Sequence, residues 1–314
     1  MSTVEPTAGP AGPSAAFDVD PRARAALILN PRARRGRRAV AAIVAALLDR
    51  GVDLRRVVHA RTFRRTGLAV DRLLAEGVRR VIVGGGDGTV GSVAARLAGV
   101  NDAVLGVIPL GTANDFARTL GIPKALDRAV EVAAGRHARA IDLARANDAY
   151  FLNVASVGMS VAATRQLSAR LKRWLGPGAY VLAGLRAFLD HATFRARIET
   201  PGESTETLAH QIVVGNGRFY GGGVLVARSS TLDDGLLAAY ALGAGGRWRL
   251  LHTVALLRLQ IPLDRPGDFF VRAPTLTVAT VPRLGVNLDG EVRTSTPVVF
   301  RVVPAALRVL VPAE

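Results

Sequence analysis

Cysteine is absent from the 314 residues, which excludes disulfide staples and thiolate metal sites. Histidine is scarce: His59, His137, His191, His210 and His252 are scattered, without the spacing of a histidine zinc motif. Aromatic residues make up 5% of the chain, few for a protein that stacks on nucleic-acid bases, and no DNA- or RNA-binding signature occurs. Lysine is confined to Lys124 and Lys172. No apolar run reaches the ~18–20 residues that a membrane span requires; the longest candidate, Ala39 to Leu48, is closed by Arg38 and Asp49. The first residues, with Glu5 and several prolines, lack the charged-then-apolar layout of a signal peptide. The expectation is a cytoplasmic protein, peripheral at most on the inner membrane face.

Arginine fills the gap left by lysine. The 41 basic and 25 acidic residues give a net charge of +16, so a polyanionic partner is expected. Nucleotide phosphates or an anionic membrane surface suit this composition better than nucleic acid. The length leaves room for two domains with sizeable cores.

The central stretch is Arg80 to Val93, RVIVGGGDGTVGSV. Val81 to Val83 form a short β-branched run that reads as a buried parallel strand. It breaks at Gly84, Gly85, Gly86, Asp87, Gly88 and Thr89, and a helix is expected over Val93 to Leu97. Glycines at a strand-to-helix turn let the backbone approach a bound group, and the exposed N–H groups there suit phosphate oxygens. A plain tight turn is the alternative. Gly86-x-Gly88-x-x-Gly91 also fits the dinucleotide fingerprint formally, but its acidic partner is misplaced: Asp102 precedes the next strand.

Around this stretch strand and helix alternate, the signature of a parallel α/β layer. Met1 to about Asp20, rich in Ala, Pro, Gly and Ser, reads as a disordered tail. Strands are expected at Ala25 to Leu29, Val57 to Ala60 and Val104 to Ile108, and helices at Ala39 to Asp49, Gly67 to Glu76 and Ala125 to Ala134. The loop Arg32 to Arg38 carries five arginines at a strand's carboxyl end, where α/β sheets bind ligands. From about Ala140 the pattern turns to strands: Tyr150 to Val157, Phe194 to Glu199, Gln211 to Val214, Leu236 to Leu242, Thr275 to Thr280, Leu284 to Leu288, Val298 to Val302 and Leu307 to Val311. Helices are expected at Ser168 to Trp174, Tyr180 to Leu189 and Arg247 to Gln260. The division is thus a tail (1–20), a three-layer α/β domain with a parallel sheet (21–140) and a mostly antiparallel β-sandwich (141–314). The final segment is placed either in the sandwich or back on the first domain.

A second loop, Leu110 to Asp115, follows the next strand, so two glycine- and hydroxyl-bearing loops sit side by side at one sheet edge. Thr89 and Thr112 can donate to phosphate oxygens. Asp87 and Asp115 suit a hydrated Mg²⁺, while Asn114 and Asp115 equally suit the cap of the following helix.

GGGDGT followed by PLGTANDFARTLGIP (Pro109 to Pro123) resembles the bacterial diacylglycerol-kinase-like lipid kinases of YegS type. Further matches are Asn30-Pro31, VGNGRFYGGG at Val214 to Gly223, LDDGLL at Leu232 to Leu237 and LDGE at Leu288 to Glu291. The resemblance implies an ATP-dependent kinase acting on a lipid hydroxyl, with its site in a cleft between the two domains. It implies that Asn30, Thr62, Gly85, Gly86, Asp87, Gly88, Thr89 and Thr112 hold ATP, and that Asp87 and Asp115 take part in catalysis. Glu291 would be the general base, and Asp234, with the carbonyls of Thr231 and Leu236, would hold a structural Mg²⁺. Read without the resemblance, Asp234-Gly235 and Asp289-Gly290 are hairpin turns.

Three departures stand out. Gly91 and Ser92 replace an Asn-Glu pair, Leu68 replaces an aspartate, and arginines fill the loop after Asn30-Pro31. They keep a non-catalytic lipid- or nucleotide-binding relative open as an alternative; an NAD kinase shares GGDGT but not GTANDFA. The expected partners are a lipid substrate and an anionic membrane surface, with no nucleic acid, and a homodimer is an open alternative to a monomer.

Overall fold

The computed structural model describes residues 16–30, 36–59, 62–158, 193–220, 224–225, 230–243 and 269–313. The expected helices at Ser168 to Trp174, Tyr180 to Leu189 and Arg247 to Gln260, most of the tail and the arginines of residues 31–35 lie outside the described residues.

The first half is a βαβ series: β1 (Phe17–Asp18), β2 (Ala25–Leu29), α1 (Gly36–Asp49), β3 (Leu54–His59), α2 (Phe63–Ala75), β4 (Arg80–Gly85), α3 (Asp87–Leu97), β5 (Val104–Pro109), α4 (Asp115–Thr119) and α5 (Leu126–Ala134). β2, β4 and β5 are buried along their whole length, as their unbroken apolar runs require in a sheet covered on both faces. Their order is β3-β2-β4-β5, all parallel. α1 packs with α5, and α2 with α3.

The chain leaves β2 for β3 on one side and then crosses back to β4 on the other. Between the carboxyl ends of β2 and β4 the order reverses, where such sheets open a crevice for ligands. Asn30 and the glycine run end up there together.

The second half comprises β6 (His137–Ala146), β7 (Ala149–Phe151), β8 (Val154–Gly158), β9 (Phe194–Thr200), β10 (Glu203–Gly215), β11 (Phe219–Tyr220), β12 (Val224–Leu225), β13 (Leu237–Gly243), β14 (Phe269–Ala273), β15 (Thr275–Val281), β16 (Gly285–Leu288), β17 (Glu291–Ser295) and β18 (Val298–Leu310). Pairing within it is antiparallel, and β10 is the hub, bonded to β9 at one end and to β8 and β13 at the other. Its core includes Phe194, Ile198, Ile212, Val278, Leu288 and the edge-to-face pair Phe151–Phe300, 6.1 Å apart.

β18 joins the halves. Its first residues pair with β15, β6 runs antiparallel along it, and Val309 pairs in parallel with Leu105 of β5. A register shift between Val303 and Leu307 and a left-handed Ala305 (φ 48°) turn it from one layer into the other. Read from sequence this strand is two runs, because a bulge interrupts its alternation.

Other expectations shift at their edges. α3 starts at Asp87 rather than Val93, and β4 runs on through Gly84 and Gly85, so Gly86 alone separates strand from helix. α2 starts at Phe63 because Thr62 caps it, its Oγ1 accepting the Arg65 N–H at 3.3 Å. Tyr150 to Val157 is two strands, broken at Leu152-Asn153. Phe17 and Val19, placed in the tail by composition, pack against Val104, Ala138 and Leu310.

Candidate active site

The site begins where β4 and β5 end. Gly84 sits under Leu29: a Cβ there would lie 2.3 Å from Leu29 Cδ2. Gly85 lies against Thr89, with 2.8 Å between its notional Cβ and Thr89 Cβ. The second loop crosses so closely that a Cβ on Gly111 would fall 2.5 Å from Gly86 Cα. The Leu110 N–H donates to Gly85 O at 2.9 Å and fixes the pair. Asn114, in the left-handed region at φ 51°, closes the second loop on itself: its Oδ1 accepts the Gly111 N–H at 3.0 Å and its Nδ2 donates to Gly111 O at 2.9 Å.

Gly86 precedes α3 without a side-chain cap; the Thr89 N–H turns back to Gly86 O at 2.9 Å, and no capping side chain claims the Asp87 and Gly88 N–H groups before it. An eleven-residue helix presents its positive end there. Asn30 donates its own N–H to Gly84 O at 3.1 Å and its Nδ2 to Thr89 Oγ1 at 3.1 Å. The described structure thus gathers Asn30, Gly85, Gly86, Asp87, Gly88, Thr89 and Gly111 at one mouth. Thr112 is exposed on the second loop. Asp115 is 3% exposed at the start of α4, with Arg118 3.9 Å away.

Asp87 links this mouth to the second half. Its Oδ1 accepts the Phe116 N–H at 3.0 Å and Asn153 Nδ2 at 3.4 Å. Asn153 lies in the break between β7 and β8 and is 4% exposed; its Oδ1 has no partner among the described residues. The three amides of that break, Leu152, Asn153 and Val154, donate to the Asp289 carboxylate at 2.6, 2.9 and 3.1 Å. Burial pushes the Asp289 carboxyl above its ordinary range; the three amides pull it down, and the nearby Asp87 charge pushes it up again.

Asp289 (φ 48°) and Gly290 (φ 97°) form the two-residue turn between β16 and β17, the left-handed pair such a hairpin favours. The first residue after the turn is Glu291, whose side chain is 59% exposed and pairs with Arg293 Nη2 at 3.2 Å. The Arg293 guanidinium lies 4.0 Å from the centroid of the Phe63 ring, next to Thr62. Glu291 is thus linked across the junction of the halves, through Arg293, to Phe63, the residue after Thr62.

The chain matches two family descriptions in tandem, the diacylglycerol kinase catalytic domain over residues 24–146 and the YegS C-terminal NAD kinase beta sandwich-like domain over residues 153–311. A protein of Pseudomonas aeruginosa named "Probable lipid kinase YegS-like" is 38% identical over 261 residues, covering 78% of this chain and 80% of that one. The chain belongs to the YegS-like lipid kinase family. A Salmonella schwarzengrund protein named "Probable lipid kinase YegS" is 34% identical over 280 residues, 86% of this chain and 90% of the relative. A crystal structure from Bacillus anthracis str. Sterne, described as a diacylglycerol kinase, superposes with a TM-score of 0.76 at 27% identity, over 92% of this chain and 97% of that one.

The expected cation loop is built around Asp234. Asp234 Oδ1 accepts the Leu236 N–H at 2.9 Å; its Oδ2 accepts the Thr231 N–H at 2.9 Å and Arg272 Nη2 at 2.6 Å. The loop points amides at Asp234, and Arg272 supplies the counter-charge. Among the described residues no cluster of three or more His, Asp or Glu is placed to hold a metal ion. The Asp234 carboxylate is thus already held by two amides and Arg272, and a cation on Asp234 and the Thr231 and Leu236 carbonyls would have to share it with that guanidinium. Neighbouring Asp233 pairs with Arg139, and buried Asp142 accepts the Gly235 and Ala305 N–H groups at 2.8 and 2.9 Å.

Gly91 faces the Asp289 turn, its notional Cβ 3.8 Å from Asp289 Oδ2. Ser92 is buried, donating to Gly88 O at 2.9 Å. Leu68 is exposed on α2. Sequence reasoning missed Asn153, Asp289 and Arg293. Asp289 carried a signal, an Asp-Gly turn directly before the acid chosen as base; Asn153 carried none, since its role depends on a strand break.

Proposed function

We propose that the chain transfers the γ-phosphate of ATP to a hydroxyl of diacylglycerol or a related lipid. The observation that carries this is the contact of Gly86 with Gly111, which shapes a side-chain-free cradle at the amino end of α3 beside Asp87. Such a cradle suits phosphate oxygens, since bare backbone and a helix N-terminus face them. The fit to a nucleotide rests on these glycines, on Thr89 and Asn30 at the crevice, and on the unclaimed buried Oδ1 of Asn153.

In this reading the amides of the α3 start and Thr112 hold the phosphates. Asp87, whose Oδ2 accepts no hydrogen bond from described residues, would hold the Mg²⁺ that travels with the nucleotide. Asp115 supports the same loop from its buried position. Glu291 takes the proton as the lipid oxygen bonds to the γ-phosphorus, the bond from that phosphorus to the β–γ bridging oxygen breaks, and ADP leaves. Phosphoryl transfer asks for this division into positioning, charge neutralisation and an oriented nucleophile. The net charge of +16 favours work at an anionic cytoplasmic membrane surface.

A second reading, a nucleotide- and lipid-binding relative without turnover, is favoured by Gly91 and Leu68 standing where the pattern has polar or acidic side chains. The deciding experiment follows labelled γ-phosphate from ATP with Mg²⁺ into diacylglycerol, monoacylglycerol, phosphatidylglycerol, ceramide and sphingosine in mixed micelles. Wild type labels a lipid, and Glu291→Gln loses about 10²–10⁴ in rate. ATP binding with no labelled lipid across the panel selects the second reading.

A further inference from the structure

Glu291 stands on a largely exposed hairpin, a poor place from which to hold a carboxylate in one position. Strand residues two apart share a face, and Arg293 uses this to reach back to Glu291: its Nε and Nη2 both donate to Oε2, at 3.3 and 3.2 Å. The Arg293 side chain is only 18% exposed, far less than the carboxylate it holds. The ring of Phe63 lies against the guanidinium, its centroid 4.0 Å from the guanidinium carbon. Phe63 is the first residue of α2, immediately after the cap Thr62. A planar cation fixed on an aromatic face keeps its donor fork oriented, which a mobile ammonium does not.

We infer that Arg293, stacked on Phe63, is the positioning residue for Glu291, setting the hairpin carboxylate against the amino end of α2 so that the base and the nucleotide layer move as one. This rests on the reading of Glu291 as general base. Arg293 touches neither reacting oxygen in this scheme and acts only through the carboxylate. Phe63 acts one step further out, by holding the guanidinium plane. The arrangement ties the two halves at a point where, among the described residues, no strand pairing does so, since β16 pairs with β8 and β17.

The test is steady-state kinetics of Arg293→Met, Arg293→Lys, Phe63→Ala and Phe63→Trp, with Glu291→Gln as the second arm of a double-mutant cycle. Arg293→Met is expected to lower kcat by about 10–100-fold, the cost of a misplaced reacting group, with KM for ATP and lipid within about twofold. Arg293→Lys recovers part of the loss, because the charge returns without the fork. Phe63→Ala follows Arg293→Met in direction, and Phe63→Trp stays near wild type because the stacking face is kept. In the Glu291→Gln background, Arg293→Met has no further effect on kcat. A loss of equal size in both backgrounds, or one confined to KM, overturns the positioning role while leaving Glu291 as base. Full activity of Glu291→Gln overturns the base and the inference together.

Discussion

Gly86 and Gly111 meet backbone to backbone, each occupying the space a side chain on the other would need. The nearest neighbours of a Cβ on Gly111, at 2.5 and 2.8 Å, are Gly86 Cα and Asn114 Oδ1. Neither is the free end of a mobile side chain, so an alanine there must push the two loops apart. Gly111→Ala is expected to cost about 1–3 kcal/mol of stability, as overpacking does. It also raises KM for ATP by about tenfold, equivalent to roughly 1.4 kcal/mol of lost fit. Urea denaturation and an ATP titration check both; unchanged KM would separate this contact from nucleotide binding.

Gly91 predicts the opposite sign. It is inside α3, and the nearest described neighbours of its notional Cβ are Asp289 Oδ2 and Leu152 Cδ1 at 3.8 Å and Leu152 Cγ at 4.0 Å, ordinary contact distances. Gly91→Ala removes the entropic cost of a mid-helix glycine and is expected to stabilise the chain by about 0.5–1 kcal/mol. A lower melting temperature than wild type would show that the space facing the Asp289 turn is less open than the geometry indicates.

The Arg272–Asp234 pair makes a prediction about metal. Because the guanidinium already neutralises Asp234, chelation of divalent cations is expected to leave the melting temperature of the wild type unchanged. Arg272→Ala costs about 1–3 kcal/mol, between an exposed and a fully buried ion pair. In that variant millimolar Ca²⁺ or Mg²⁺ restores part of the loss. Scanning calorimetry with and without chelator reads both effects, and a chelator-sensitive wild type would place a resident cation on the loop after all.

Asp142 ties stability to pH. Burial raises its pKa; the Ala305 and Gly235 amides oppose this, and Asp234 and Asp233 add to it. A carboxyl raised in the folded state contributes stability fully below the unfolded value, about 4. That contribution is lost as pH rises through the folded value. Asp142→Asn does not titrate and puts an amide donor against one of two backbone donors, so it is destabilised most at low pH. The gap to wild type is expected to shrink between pH 4 and 7 in urea titrations. A gap that widens with pH would reverse the sign of the burial effect.

Much of this was legible in residue order. Val81 to Val83, Val104 to Ile108 and the turn glycines carry strong local signals, because a strand covered on both faces must be continuously apolar. The two loops were legible as a pair for the same reason, since consecutive parallel strands deliver their carboxyl ends to one edge. The extent of α3 was not, because Gly88 and Gly91 argue against a helix that tertiary contacts nonetheless fold. Asn153 and Arg293 were hidden more deeply. One depends on a strand break held by a carboxylate 136 residues away, the other on a ring that only the assembled halves bring near. The amides around Asp234 likewise follow from a turn geometry that Asp-Gly permits but does not specify.

The path of β18 bears on how the chain is made. The edge of β5 that receives Val309 is synthesised some two hundred residues earlier, and until that strand arrives it presents unpaired N–H and C=O groups. Open edges of this kind recruit foreign strands, so the nascent first half is the aggregation-prone species during translation. Closure of so long-range a contact is intrinsically slow. The glycine loops, assembled from segments made early, thus wait on the last strand to seal the sheet that supports them.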